Sequence, residues 1–169
     1  NCRNRVINST LTTAANCTWQ DMGELQNNNL SLLAKEILPT LLSDITASED
    51  ADTKKIMAAL KSWNYMADYN STAPTYFYKF WDYVEQTTYD EMEGTATSFR
   101  LPEPYNTANL IINDPKFKLF DVMSTDTVET AKEVVNIAFK KTVAFFKDYG
   151  KDKNSSVQWL HYKNTSISH

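Results

Sequence analysis

Glycine and proline are scarce. Three glycines and five prolines in 169 residues leave few of the special backbone positions that tight turns demand. That argues against a turn-rich all-β architecture. Histidine and cysteine are scarcer still, with two of each. Cys2 and Cys17 are too few for a disulfide framework. They are close enough in sequence to pair across a turn, and two separate thiols are the simpler expectation. No apolar run approaches the length a bilayer-spanning helix needs. No cluster of lysine and arginine stands out, and with a net charge of −4 the chain shows no electrostatic footprint for nucleic acid. The opening NCRNRVINST is polar and basic without an apolar stretch, so it does not read as a signal peptide. Targeting information is expected elsewhere.

What is present suits one folded domain over residues 1–169. Hydrophobic residues make up 42% and charged residues 22%, with length enough for a real core. Aromatics reach 12%, volume for a core, a pocket or both. Six Asn-x-Ser/Thr sequons occur, at Asn8, Asn16, Asn29, Asn70, Asn154 and Asn164. Roughly three would arise by chance in such a chain, so the surplus points towards an extracytoplasmic protein.

Spacing predicts helices throughout. Val6, Ile7 and Leu11 mark a short one from Asn4. Thr18 followed by Asp21 reads as a helix start with an acidic third residue, leading into Trp19 to about Asn27. Leu30, Leu33, Ile37, Leu38, Leu41, Leu42 and Ile45 recur at three and four residues, an amphipathic stripe that Pro39 should kink or restart. Ser48 reads as the next cap, with Glu49, Asp50 and Asp52 at the positive helix end and Ile56, Met57, Leu60 and Trp63 as the stripe. After a break at 69–74, Tyr76, Phe77, Phe80, Trp81 and Val84 form an aromatic helix face. A polar connector spans 94–104. The apolar run 109–112 fits helix or strand. Ser124 to Asp126 should cap a final helix of about six turns, carrying Val128, Ala131, Val135, Ala138, Phe139, Val143 and Phe146 and stopping at Gly150 as a C′ glycine. Residues 151–169 read as an extended exit arm. The fold class is mainly α, a multi-helix domain with short extended arms.

Catalytic chemistry is hard to find. There is no G-x-S-x-G, P-loop, G-x-G-x-x-G or H-E-x-x-H pattern, so no cofactor is expected. His161 and His169 are too few and too peripheral for a metal site. The acids Asp82, Glu85, Asp90, Glu91 and Glu93 read as a solvated face rather than paired catalytic carboxylates. Tyr76, Phe77, Phe80 and Trp81 could line an acyl or peptide pocket, although their spacing is accounted for by a helix core.

Several local patterns recur in a telling order. Arg3 and Leu11 precede the helix start at Thr18-Trp19-Gln20-Asp21. Asn27 to Ser31 leads to Ile37-Leu38-Pro39-Thr40-Leu41. Leu60 to Asn64 contains Trp63 and is followed by Asn70-Ser71 and the aromatic helix at 76–81. Trp159, His161 and His169 close the series. In order and spacing these resemble the β-chain of the penicillin acylase (peptidase S45) family across nearly the whole chain. Leu160 and Tyr162 depart from it, standing where many members carry a Trp-Gly pair.

The resemblance implies an internal helical piece excised from an αββα N-terminal-nucleophile hydrolase. Such enzymes hydrolyse amides of N-acyl compounds, of the penicillin or N-acyl homoserine lactone type. The free N-terminal Ser of the β-chain is the nucleophile and its own α-amine the base. A backbone N–H and an Asn side chain form the oxyanion hole. Asn1 offers no hydroxyl or thiol, so nucleophile and oxyanion Asn are expected upstream, and this piece alone is expected to be inactive. Its partners would be the rest of the acylase, the α-chain and the β-chain core, with an acyl-amide substrate. Arg3 is similar to the arginine that helps position the site in family members, a role its fork of donors suits; Arg5 is the competing candidate. The alternative is a non-catalytic helical module binding an apolar or peptide ligand on the aromatic face.

Overall fold

The computed structural model describes residues 2–46, 48–92, 101–152 and 156–164. Expectations placed on Glu93, the 94–100 part of the connector, Asn154 and His169 lie outside them. Among the described residues eight α-helices follow one another: α1 (Cys2–Thr13), α2 (Trp19–Gln26), α3 (Leu32–Asp44), α4 (Ala51–Lys61), α5 (Ala73–Thr88), α6 (Pro104–Asn113), α7 (Ala131–Tyr149) and α8 (Trp159–Lys163). Among the described residues the β structure is a single antiparallel bridge between Leu30 and Met66. The mainly α expectation holds, and the run at 109–112 is helix.

α5 is the central element, packed most extensively on α7 and also on α4 and α8. Phe77, Phe80 and Val84 of α5 and Val134, Val135 and Ala138 of α7 are all fully buried. The rings of Phe80 and Phe139 meet edge to face at 5.2 Å, and those of Tyr76 and Phe146 at 4.8 Å. α3 adds Ile37, Leu38 and Leu41, and α4 adds Ile56 and Leu60. Pro74 and Pro104 sit in the first turns of α5 and α6, where a missing N–H costs nothing.

Boundaries differ from expectation where side chains near a helix end chose other partners. Leu30 lies in the bridge, outside α3, which begins after Ser31, whose hydroxyl accepts from Ala34 N at 3.4 Å. α3 runs unbroken through Pro39. Pro39 and Lys35 are both exposed, so the Lys35 carbonyl that loses its partner can take water. The α4 cap is Asp50, accepting from Thr53 N at 2.8 Å, while Ser48 serves Asp50 N instead.

α7 starts later and is shorter than expected. Residues 122–129 are gathered around buried Glu129, whose carboxylate accepts from Thr125 and Thr127 hydroxyls and from Val122 N at 2.6–2.9 Å. Ser124 to Asp126 therefore belong to a loop, and Val128 stands in solvent. Thr130 caps the helix, its N–H and hydroxyl both donating to Glu133. Gly150 ends α7 with φ −71°, so its left-handed freedom is not what stops the helix. After it, residues 156–164 return to the bundle instead of leaving as an arm. Trp159 N and Leu160 N donate to the carbonyls of Ser71 and Tyr69. The Trp159 ring stacks on Tyr78 at 5.0 Å, and Tyr162 meets the Phe145–Phe146–Tyr149 cluster.

Candidate functional site

The two competing arginines lie on α1 and have different surroundings. Arg5 donates twice to the Glu36 carboxylate, at 2.6 and 2.8 Å, and its guanidinium lies 4.9 Å from the Tyr105 ring centre. A fork committed to one carboxylate and one ring is an anchor, tying α1 to α3 and α6. Arg3 is exposed and donates to the Gln26 carbonyl at 3.2 Å, beside a small cavity of about 100 Å³ bordered by Val6, Ile7, Leu25 and Leu30. Arg3 thus joins α1 to the end of α2, as Arg5 joins it to α3 and α6.

The aromatic face goes inward. Tyr76, Phe77, Phe80 and Trp81 are at most 3% exposed, because α7, α4 and α8 cover the face that spacing identified. None lines the groove beside α7. That groove, about 690 Å³, runs between the 45–53 segment and α7, a volume in the range of small-molecule pockets. Ile45, Phe139, Val143 and Ala144 supply its apolar part, and Lys132, Lys140 and Lys147 stand beside them. Asn136 links its two sides, donating to Asp44 O and accepting from Thr46 N, each at 2.8 Å. The acids Asp50 and Glu133 are held below the usual carboxylate range by the helix-start donors they accept, Thr53 N and the Thr130 hydroxyl respectively. Periodicity predicted α7's buried face but not this groove, which needs the loop after α3 to lie across the helix.

The acidic cluster is only partly a solvated face. Asp82 and Glu91 are exposed, but Glu85 and Asp90 are half-buried. Each keeps one carboxylate oxygen without a hydrogen bond, as do the Trp81 indole nitrogen and the Thr75 and Thr88 hydroxyls. Burial pushes the Glu85 carboxyl up to about 6, with the nearby Trp81 N–H opposing the rise and Asp82 adding to it. The signal was available, since Glu85 follows buried Val84 and lies one turn after Trp81. Among the described residues no group of three or more His, Cys, Asp or Glu is placed to hold a metal. His161 is exposed on α8, and Cys17 is an exposed free thiol.

The arrangement is that of a helical scaffold with an arginine-bearing first helix. The chain matches the model of the penicillin amidase family over residues 1–169. It belongs to that family, which makes the parent protein a hydrolase. No curated protein and no solved structure matches it.

Proposed function

We propose that this chain is the helical part of an acylase that hydrolyses the amide bond of N-acyl compounds, penicillins or N-acyl homoserine lactones among them. The nucleophile is an N-terminal Ser supplied outside these 169 residues, with its own amine as base. Family membership over the whole chain carries the reading. The likeness of Arg3 to the site-positioning arginine of family members supports its one residue-level claim. Arg3 positions the reacting groups, and the helices hold Arg3.

In the full-length protein, Arg3→Ala should lower kcat for a phenylacetyl or fatty-acyl amide by about 100-fold, the scale at which a misplaced reacting group acts. Thermal stability should stay within a degree or two of wild type. Arg5→Ala should do the reverse, moving stability more than turnover. Equal kinetic effects from the two would remove Arg3's special role. The isolated 169-residue chain should turn over neither substrate; turnover that tracks the purified chain would refute an outside nucleophile.

The groove beside α7 favours a second reading, a ligand-binding module, now seated at Phe139 and Val143 rather than on the Tyr76–Trp81 face. Titration with hydrophobic acids and peptides, followed by NMR shifts at Val143 and Ala144, tests it. No response across the panel removes it.

A further inference from the structure

Each exposed sequon asparagine among the described residues has a large apolar side chain standing in solvent close by; the remaining described one, Asn29, is half-buried and its amide nitrogen donates to Asp68 at 2.8 Å. Leu11, 43% exposed, follows Asn8 by three residues on α1, and Trp19, 79% exposed, follows Asn16 by three. Tyr69, 70% exposed, directly precedes Asn70, and Leu160, 55% exposed, lies one α8 turn before Asn164. The four asparagines are themselves exposed. Single apolar residues on a surface are ordinary. Here, however, nine large ones are exposed among the described residues, and one falls beside each of the four described sequons whose asparagine is exposed. Random scatter over the chain does not readily produce that pairing.

Asn16 and Asn70 are the best placed. Asn16 lies in the bend between α1 and α2, and Asn70 in the turn that precedes α5. Both neighbours are aromatic, whereas Asn8 lies inside a helix. We propose that Asn16 and Asn70 carry N-linked glycans whose first sugars lie over Trp19 and Tyr69. The donor is an oligosaccharide held on a lipid pyrophosphate. The asparagine Nδ2 forms a bond to C1 of the first sugar, the bond from C1 to the pyrophosphate oxygen breaks, the amide gives up one proton, and the lipid pyrophosphate leaves. The C–H face of a sugar ring takes apolar aromatic surface out of water, and its hydroxyls keep the outer side hydrated. Trp19 and Tyr69 are thus the apolar seats of hydrophilic groups.

The proposal rests on the extracytoplasmic reading, and the test separates the two. Full-length protein is isolated from the cells that make it and treated with peptide-N-glycosidase in heavy-oxygen water, which converts each glycan-bearing Asn to labelled Asp. Peptide mapping should find the label at Asn16 and Asn70. In parallel, protease is added to intact membrane vesicles from the same cells. Protein that is protected, or found in the medium, with both peptides unlabelled overturns the proposal and leaves the location standing. Protein digested outside the vesicles overturns both. Native deglycosylation should also raise the fluorescence of a hydrophobic-surface dye, and Trp19→Ser with Tyr69→Ser should abolish that rise. A labelled protein with no rise overturns the seating of the sugars on these rings.

Discussion

Glu85 shows how one residue can oppose the fold that contains it. Its carboxyl sits one helical turn beyond Trp81, half-buried, with one oxygen lacking a hydrogen bond. Burial raises its folded pKa from 4.5 to about 6. Between those values the folded state holds the proton and the unfolded state does not, so stability falls as pH rises through that window and levels off above it. Glu85→Gln keeps the shape and removes the charge. It should raise stability at pH 7 by at most about 2 kcal/mol, with little change at pH 4, read by denaturant melts at both. A stabilisation equal at the two pH values would mean that charge burial is not the cause. Glu129 works in the opposite sense. Hydrogen bonds from Thr125, Val122 and Thr127 hold its pKa down, so its contribution is present above the ordinary carboxylate range and lost as pH falls through the lowered value. Acid should therefore loosen the 122–129 loop, visible as earlier hydrogen exchange at Val122 N.

Helix starts carry most of what the sequence says about elements. Thr18 and Asp21 close a complete capping box, with Asp21 N donating to Thr18 Oγ1 at 3.2 Å and Thr18 N to Asp21 Oδ2 at 2.8 Å. Thr18→Ala should cost about 1 kcal/mol, seen as faster exchange confined to α2; no change there would mean the cap is idle. This cap was legible because both partners lie within one turn. The caps of α4 and α7 were legible only as neighbourhoods, since Ser48, Asp50 and the threonines near 125–130 are equivalent until long-range packing chooses among them. Glu129 settles the choice at α7 by claiming Thr125 and Thr127. The return of α8 was not legible, because its anchors, Tyr78 and the carbonyls of Tyr69 and Ser71, lie some ninety residues away in the chain.

At the scale of the molecule, stability is concentrated in α5 and α7. Phe80 is fully buried against Phe139, and Phe80→Ala should cost about 3–5 kcal/mol, close to unfolding a marginal domain. α2 buries no residue completely, and α1 is joined to α3 by an ion pair whose partners keep 46% and 30% of their side-chain surface, a contribution of about 1 kcal/mol or less. Native-state hydrogen exchange should accordingly open α1 and α2 well below the global free energy and α5 with α7 only at it. Arg3 stands on the less stable side, so the positioning role proposed for it depends on what packs against α1 in the full-length protein. Uniform protection across all helices would contradict this hierarchy.

The sequence by itself determined that the chain is helical, where the apolar stripes run, and which family its ordered motifs resemble, because periodicity and nearest-turn capping are local properties of the backbone. It also showed that no familiar catalytic pattern is present. Only the tertiary structure decided that the aromatic face is core rather than pocket, that Arg5 reaches Glu36 and Tyr105 while Arg3 reaches Gln26, that a groove opens beside α7, and that Trp19 and Tyr69 stand exposed beside sequons. Each of those depends on which distant segment covers a side chain, and covering is a three-dimensional event that spacing along the chain does not encode.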